Sequence, residues 1–316
     1  MRVVITGPTG AIGHALIEKC ISNGDEVLAV CRKGSSRIAS LPEDAGVTVL
    51  ELSLCDYDEY ISSASKPEVP YDVFYHFAWN GTTGASRNDT DLQSKNVQYA
   101  LSAVKLASFF GCKTFIGAGS QAEYGRVEGS LRADTPAFPE NGYGIAKLCA
   151  GQLTRILCGQ LGIKHIWTRI LSVYGPYDGE GSMVISSLRK MIRGEQSGFT
   201  KGEQEWDYLY SADAANAMYL IARKGIGNKI YVIGGGRTRK LRDYINVMDQ
   251  KVNPAVHPVL GAVPYADKQV MYLCADISDL KQDTGFTPAV GFEEGAKRTI
   301  EYMKQIHLKK TEDSDV

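Results

Sequence analysis

Tyr143-Gly144-Ile145-Ala146-Lys147 sets a phenol and an ammonium four residues apart, a spacing that brings both to one face of a helix about one turn from each other. A phenol ordinarily titrates at about 10, and a nearby positive charge favours its ionised form, so such a pair can pass a proton to or from a substrate oxygen. Y-x-x-x-K arises often by chance. It gains meaning from Gly7-Pro8-Thr9-Gly10-Ala11-Ile12-Gly13, whose three glycines turn the chain, let backbone approach a diphosphate and pack a helix on a strand. A diphosphate there, with Thr9, Ala11 and Ile12 as further contacts, meets unpaired N–H groups and the positive end of a helix dipole. A third group is Ser120, in Gly117-Ala118-Gly119-Ser120, whose hydroxyl can hold the carbonyl oxygen that Tyr143 protonates.

The segment Val30-Cys31-Arg32-Lys33-Gly34-Ser35-Ser36-Arg37 indicates which dinucleotide binds. An NAD-selective site would offer an acid there to take the ribose 2′-hydroxyl. Arg32 and Lys33 instead suit a 2′-phosphate, which a guanidinium binds with paired, charge-assisted hydrogen bonds. NADP(H) is therefore expected over NAD(H).

These groups need a sheet edge to hold them. Short β-branched runs at Val3–Thr6, Val27–Cys31, Val47–Leu52, Val73–Ala78, Thr114–Ala118, His165–Val173 and Ile230–Gly234 alternate with helical patterns, which predicts a parallel sheet covered on both faces. The helices include His14–Ser22, Asp91–Phe110 and Tyr143–Leu161, the last two apolar over a wide arc. From Gly175 onward Gly and Pro punctuate short elements, as expected of a smaller irregular lobe. The expected class is α/β, a doubly wound parallel Rossmann sheet with that lobe C-terminal to it. Residues 1–173 and about 207–236 would bind the cofactor; about 174–206 and 237–316 would bind substrate. A polar tail from Lys309 is expected to be disordered.

Composition excludes several classes. With 35 Lys+Arg against 36 Asp+Glu and 22% charged residues, no nucleic-acid footprint dominates the chain of 316 residues. No stretch has the apolar length of a membrane span, and the chain starts on a strand pattern, so no membrane association and a cytoplasmic location are expected. The seven cysteines form no C-x-x-C and the five histidines no ligand spacing, so core thiols and no metal are expected. The 33 glycines exceed the average share and need a structural account.

The motifs together resemble the extended short-chain dehydrogenase/reductase family of nucleotide-sugar epimerases, dehydratases and ketoreductases, over nearly the whole chain. They run in order: Gly7, Gly10 and Gly13; His76-Phe77-Ala78; Asn96; Ser120 before Tyr124-Gly125; Tyr143 and Lys147; Val173-Tyr174-Gly175-Pro176; Asp207-Tyr208 with Asp213; Gly234-Gly235-Gly236; and Asp276 before Gly285-Phe286-Thr287-Pro288. The resemblance implies Tyr143 as general acid/base, Lys147 on the nicotinamide ribose and Ser120 orienting the substrate oxygen. It implies Ser53 and Leu54 at the adenine, Phe77, Ala78 and Trp79 along the cofactor, and Asn96 on the cofactor side, supporting the fold or a proton relay. It further implies a nucleotide-diphospho-sugar as partner, with Trp79, Gln121, Tyr174, Met183, Trp206 and Arg237 toward it, and a homodimer built on the two long helices.

Departures sharpen the reading. The dehydratases of the family carry Asp-Glu directly after the Ser/Thr; here Gln121-Ala122 leaves dehydration without its acid and base. Trp206 stands where the family has Arg before Asp207, and Arg237 or Arg239 is the expected substitute. Ser53 replaces the usual acid after the third strand. His76-Phe77-Ala78-Trp79-Asn80-Gly81 and Gly119-Ser120-Gln121-Ala122-Glu123-Tyr124-Gly125 look most like the CDP-abequose and CDP-paratose synthases, which reduce a 4-keto nucleotide sugar. The expected activity is NADPH-dependent 4-ketoreduction, with a 4-epimerase that retains its cofactor as the alternative; a dehydratase or a non-catalytic NADP-binding regulator fits less well.

Overall fold

A computed structural model describes residues 1–312, except for the side chains of residues 307–312. Seven parallel strands form the central sheet: β1 (Arg2–Thr6), β2 (Glu26–Cys31), β3 (Val47–Glu51), β4 (Val73–His76), β5 (Thr114–Ser120), β6 (Lys164–Ile170) and β7 (Ile230–Ile233). Their spatial order is β7-β6-β5-β4-β1-β2-β3. The chain starts inside the sheet at β1, winds out to β3, returns to β4 and winds out the other way. The carboxyl ends of β1 and β4 thus flank the crevice where the winding reverses, the place where such sheets bind ligands.

The near-continuous apolar character of β1, β4, β5 and β6 follows from burial on both faces, whereas β3 at the edge exposes Thr48 and Val49. On one face α1 (Ala11–Ile21) packs against α6 (Ser211–Lys224), closing a core of Ile5, Leu16, Ile17, Ile116, Met218 and Ile221. On the other, α2 (Tyr57–Ser63), α3 (Thr90–Phe109) and α4 (Gly142–Gln160) cover Val4, Phe74, Phe115 and Val104. Asp89 caps α3 by accepting the Leu92 N–H at 3.0 Å, and Asn141 caps α4 through the Gly144 N–H at 2.9 Å. Caps of this kind contribute about 1 kcal/mol each. The second places Tyr143 in the first turn of α4, with Lys147 one turn further in.

The later part of the chain gathers α5 (Met183–Ile192), α7 (Leu241–Val252), α8 (Ser278–Thr284) and α9 (Phe292–Glu312) with short ladders. Tyr208–Tyr210 pairs in parallel with Ser172–Tyr174, and Arg239–Lys240 and Tyr272–Leu273 flank Glu205–Trp206. Tyr174, Leu188, Tyr244, Ile245, Phe292 and Ile300 share a separate apolar core. Two buried acids tie this region to the sheet: Asp207 accepts the N–H groups of Gly235, Gly236 and Ala275, and Asp213 those of Ala289 and Val290.

Three sequence expectations change. The run His165–Val173 is two strands: the ladder to β7 ends with the Leu171 N–H on the Ile233 carbonyl, and Ser172–Tyr174 then leaves the sheet to pair with Tyr208–Tyr210. The fourth strand stops at His76, two residues short of Ala78. The polar tail is helical through Glu312, and the rest of it lies outside the described residues. All seven cysteines are unpaired, five buried and Cys55 and Cys149 exposed. Among the described residues no helix is long and apolar enough to cross a membrane.

Candidate active site

The glycine turn follows β1 and opens α1 without a side-chain cap, so the first N–H groups of the helix stay available to a ligand. Gly7 has φ +68° and its missing Cβ would lie 2.8 Å from the Ala78 nitrogen; one at Gly13 would lie 2.5 Å from the Gly7 carbonyl oxygen. Both are fixed by packing. Gly10 is different: a Cβ there meets only the Gly7 oxygen, at 3.7 Å, and would enter the cavity that Gly10 lines. The turn therefore holds a space shaped for a group pressed against backbone.

That cavity, about 680 Å³, runs from the glycine turn past Arg32, Ser35, Ser53 and Leu54 and along Phe77, Ala78 and Trp79. It meets a second cavity of about 340 Å³ lined by Ala11, Ile12, Gly13, Ser120, Tyr143 and Lys147. Gly7, Gly10, Ala11, Phe77, Trp79, Thr82 and Asp178 border both, so the two form one continuous cleft across the carboxyl ends of β1, β4 and β5. The combined shape and chemistry suit a dinucleotide whose diphosphate lies on α1 and whose reactive end reaches Tyr143.

Lys147 is buried; its ammonium donates to the Ala118 carbonyl at 2.6 Å and sits 3.8 Å from the centre of the Trp79 ring. Burial pushes its pKa from 10.5 down to about 7. Burial also raises the Tyr143 phenol, while the Ser120 hydroxyl and the Arg87 guanidinium, 4.4 Å from the ring centre, pull the other way. Lys147 is not among the groups that set this shift. Its ammonium is 5.8 Å from the Tyr143 ring centre and is occupied by Ala118 and Trp79.

Arg32 lines the cofactor side of the cleft with no ion pair among the described residues, whereas Lys33 is turned to Asp56, 3.2 Å away, and is not on the cleft wall. Asn96 is also diverted: its amide accepts the Asn80 N–H and donates to the Asn80 carbonyl, pinning the loop that carries Trp79. Gln93 completes the pin by accepting from the Trp79 indole and donating to Gly81 and Ser86. Tyr174 is not a wall residue. It is 1% exposed, packed against Phe292, and its hydroxyl donates to the Phe292 carbonyl.

Gln121, Met183 and Trp206 lie off both cavity walls; Met183 packs on the apolar core of the later region and the Trp206 indole donates to Ser172. Arg237 is exposed and borders a small crevice with Tyr208 and Tyr244, and Arg239 is held by Glu293. Sequence reasoning missed Asp178, Tyr177 and Arg37 as a closing strap. Arg37 donates to both the Thr9 and Tyr177 carbonyls, and the Tyr177 ring, at φ +63°, stacks on His14 at 3.6 Å. The Gly-Pro-x-Asp-Gly run signalled a turn; nothing in it announced where the turn would land.

Comparison with known proteins agrees with this geometry. Residues 3–234 match the NAD dependent epimerase/dehydratase family. The chain is 22% identical over 320 residues to dTDP-glucose 4,6-dehydratase of Streptomyces niveus, covering 96% of this chain and 93% of that protein. The UDP-glucose 4-epimerase of Thermotoga maritima, solved with UDP-glucose, superposes with a TM-score of 0.84 at 26% identity, over 97% of this chain and 100% of that one. The UDP-glucuronic acid 4-epimerase of Bacillus cereus, solved with NAD, does so with a TM-score of 0.83 at 19% identity and the same coverage. The chain belongs to the NAD dependent epimerase/dehydratase family, as an enzyme of the extended short-chain dehydrogenase/reductase type.

Proposed function

We propose that the enzyme reduces the 4-keto group of a nucleotide-diphospho-sugar with NADPH. The observation that carries this reading is Arg32, a guanidinium with no ion pair among the described residues, on the cofactor wall beside Ser35 and Ser53 and suited to a 2′-phosphate. When bound, the reduced nicotinamide supplies hydride. Tyr143 donates the proton to the carbonyl oxygen, Ser120 beside it orients that oxygen, and Lys147 takes a cofactor ribose hydroxyl. Trp79, edge-on to Tyr143 at 6.2 Å, walls the sugar side. Arg237 is the remaining cation for the substrate phosphates, because Arg239 is occupied by Glu293. The division into cofactor and substrate lobes follows the same assignment.

The two positions directly after Ser120 do not carry the carboxylates that the family's dehydratases use to eliminate water. Positions 121 and 122 are Gln and Ala, and the next acid, Glu123, is wholly buried against Arg169. A second reading, a 4-epimerase with a retained NAD, is favoured by two observations. The Glu51 carboxylate accepts the Gly34 N–H at 2.9 Å, bringing an anion to the turn that bears Arg32, and the Arg37 strap closes over the glycine turn. We also propose a homodimer through α3 and α4, supported by the exposed Ile145, Leu153 and Ile156 of α4, and a cytoplasmic location.

A thermal-shift screen of NADPH and NADH with CDP-, dTDP-, UDP- and GDP-sugars tests the ligand class. Turnover of the stabilising 4-keto sugar, followed by nicotinamide absorbance, then separates the two readings. Net oxidation supports the reductase, and sugar isomerisation without net oxidation supports the epimerase.

A further inference from the structure

We propose that Glu123 is a positioning residue for the reaction: its buried carboxylate, neutralised by Arg169, fixes the Ser120 that faces Tyr143. This rests on the reading of Ser120 and Tyr143 as the reacting pair. Glu123 is 0% exposed. One oxygen accepts the Ser120 N–H at 2.8 Å and the Trp167 indole N–H at 3.0 Å; the other accepts Arg169 Nε at 2.9 Å and the indole at 3.2 Å. The Ser120 hydroxyl in turn accepts the Ala122 N–H at 3.2 Å, which leaves its proton to be donated into the cleft. Backbone and side chain of Ser120 are thus both held, the first by a charge.

Room for this assembly is built into the sequence. A Cβ on Gly119 would lie 2.2 Å from Glu123 Oε1, one on Gly117 2.2 Å from the Trp167 ring, and one on Gly151 2.8 Å from the same ring. Three glycines on β5 and α4 therefore yield space to one carboxylate and one indole. A buried ion pair adds little stability relative to apolar residues of the same volume, so stability does not explain its presence. Directional hydrogen bonding to the amide of the reacting serine does.

The charge also reaches the cleft. The groups facing Tyr143 are Ser120, Arg87 from the segment before α3, Lys147 on α4 and Glu123; Arg169 on β6 balances Glu123, and His76 on β4 is held neutral by burial. Glu123 raises both the Tyr143 phenol and the Lys147 ammonium. Loss of its charge moves the phenol down.

Two variants test the proposal. Glu123→Gln keeps an acceptor for the Ser120 N–H and removes the charge; Glu123→Leu with Arg169→Met removes acceptor and charge together without orphaning a buried cation, and serves as the second probe should the single variant not fold. The double variant is expected to lose kcat about 30-fold or more, since small misplacement of a reacting group is costly, with KM and the NADP(H) Kd within about threefold. In the single variant the kcat–pH profile is expected to shift to lower pH. Deuterium exchange of amides 117–124, which needs no substrate, is expected to quicken in the double variant. A folded double variant with kcat within about threefold of wild type, or with unchanged exchange over 117–124, overturns the proposal. If the wild type converts no nucleotide sugar, the functional reading fails, and the exchange comparison still decides the positioning claim.

Discussion

Lys147→Met is expected to make the protein more stable near pH 6 while abolishing turnover. In the folded protein Lys147 is buried and burial holds its pKa at about 7 against an ordinary 10.5. Below about 7 it is charged in both folded and unfolded chains, so the folded state bears the full desolvation cost; the displacement corresponds to about 5 kcal/mol. Between about 7 and 10.5 the unfolded chain binds the extra proton, and stability rises by about 1.4 kcal/mol per pH unit until the cost is removed. Methionine fills similar space and pays no such cost. It forfeits the hydrogen bond to Ala118 and the contact over Trp79, together worth about 2 kcal/mol. The net gain at pH 6 is therefore about 3 kcal/mol, a rise in Tm of about 6 °C for a domain of this size, shrinking toward zero or reversing by about pH 9. Denaturant unfolding of the cofactor-free wild type and variant at both pH values measures it. A variant less stable than wild type at pH 6, or a difference independent of pH, would refute the argument that this lysine is held partly discharged by burial.

Other perturbations separate the roles of the remaining groups. Tyr143→Phe should lower kcat by about 10²- to 10⁴-fold, the worth of a positioned acid, with the cofactor Kd unchanged in a direct titration. Arg32→Ala should weaken NADPH by about tenfold to a hundredfold, the value of a charge-assisted contact, and leave NADH within about twofold in the same titration. Asp207→Asn keeps the shape but replaces an acceptor of three backbone N–H groups with an amide whose NH₂ faces donors; a loss of about 3 kcal/mol is expected in denaturant unfolding.

Most of the fold was legible because its signals are local. The glycine turn between strand and helix, the run of seven strands and the helix that carries Tyr143 and Lys147 on one face are all decided within a few residues. What was not legible depends on where side chains land. Lys33 and Arg32 are neighbours with the same charge, yet Asp56 captures one and the cleft keeps the other. Tyr174 looks like an aromatic wall from its motif, but its hydroxyl finds a carbonyl 118 residues away in the core. Asn96 offers an amide that suits a cofactor and spends it on a loop. Leu171 sits in a run of strand-formers, and the break after it is set by a distant partner, the Tyr208–Tyr210 strand that takes up Ser172–Tyr174. The glycine surplus splits the same way: the cofactor turn was readable, but the clearance of Gly117, Gly119 and Gly151 for Trp167 and Glu123 was not.

The central claim is tested most directly by mixing the wild-type enzyme with stoichiometric NADPH and a 4-keto nucleotide sugar and following nicotinamide absorbance and sugar product together. The expected result is loss of absorbance matched mole for mole by reduced sugar, with NADH a poorer donor. Sugar isomerisation with the absorbance unchanged, or NADH used as well as NADPH, would contradict it.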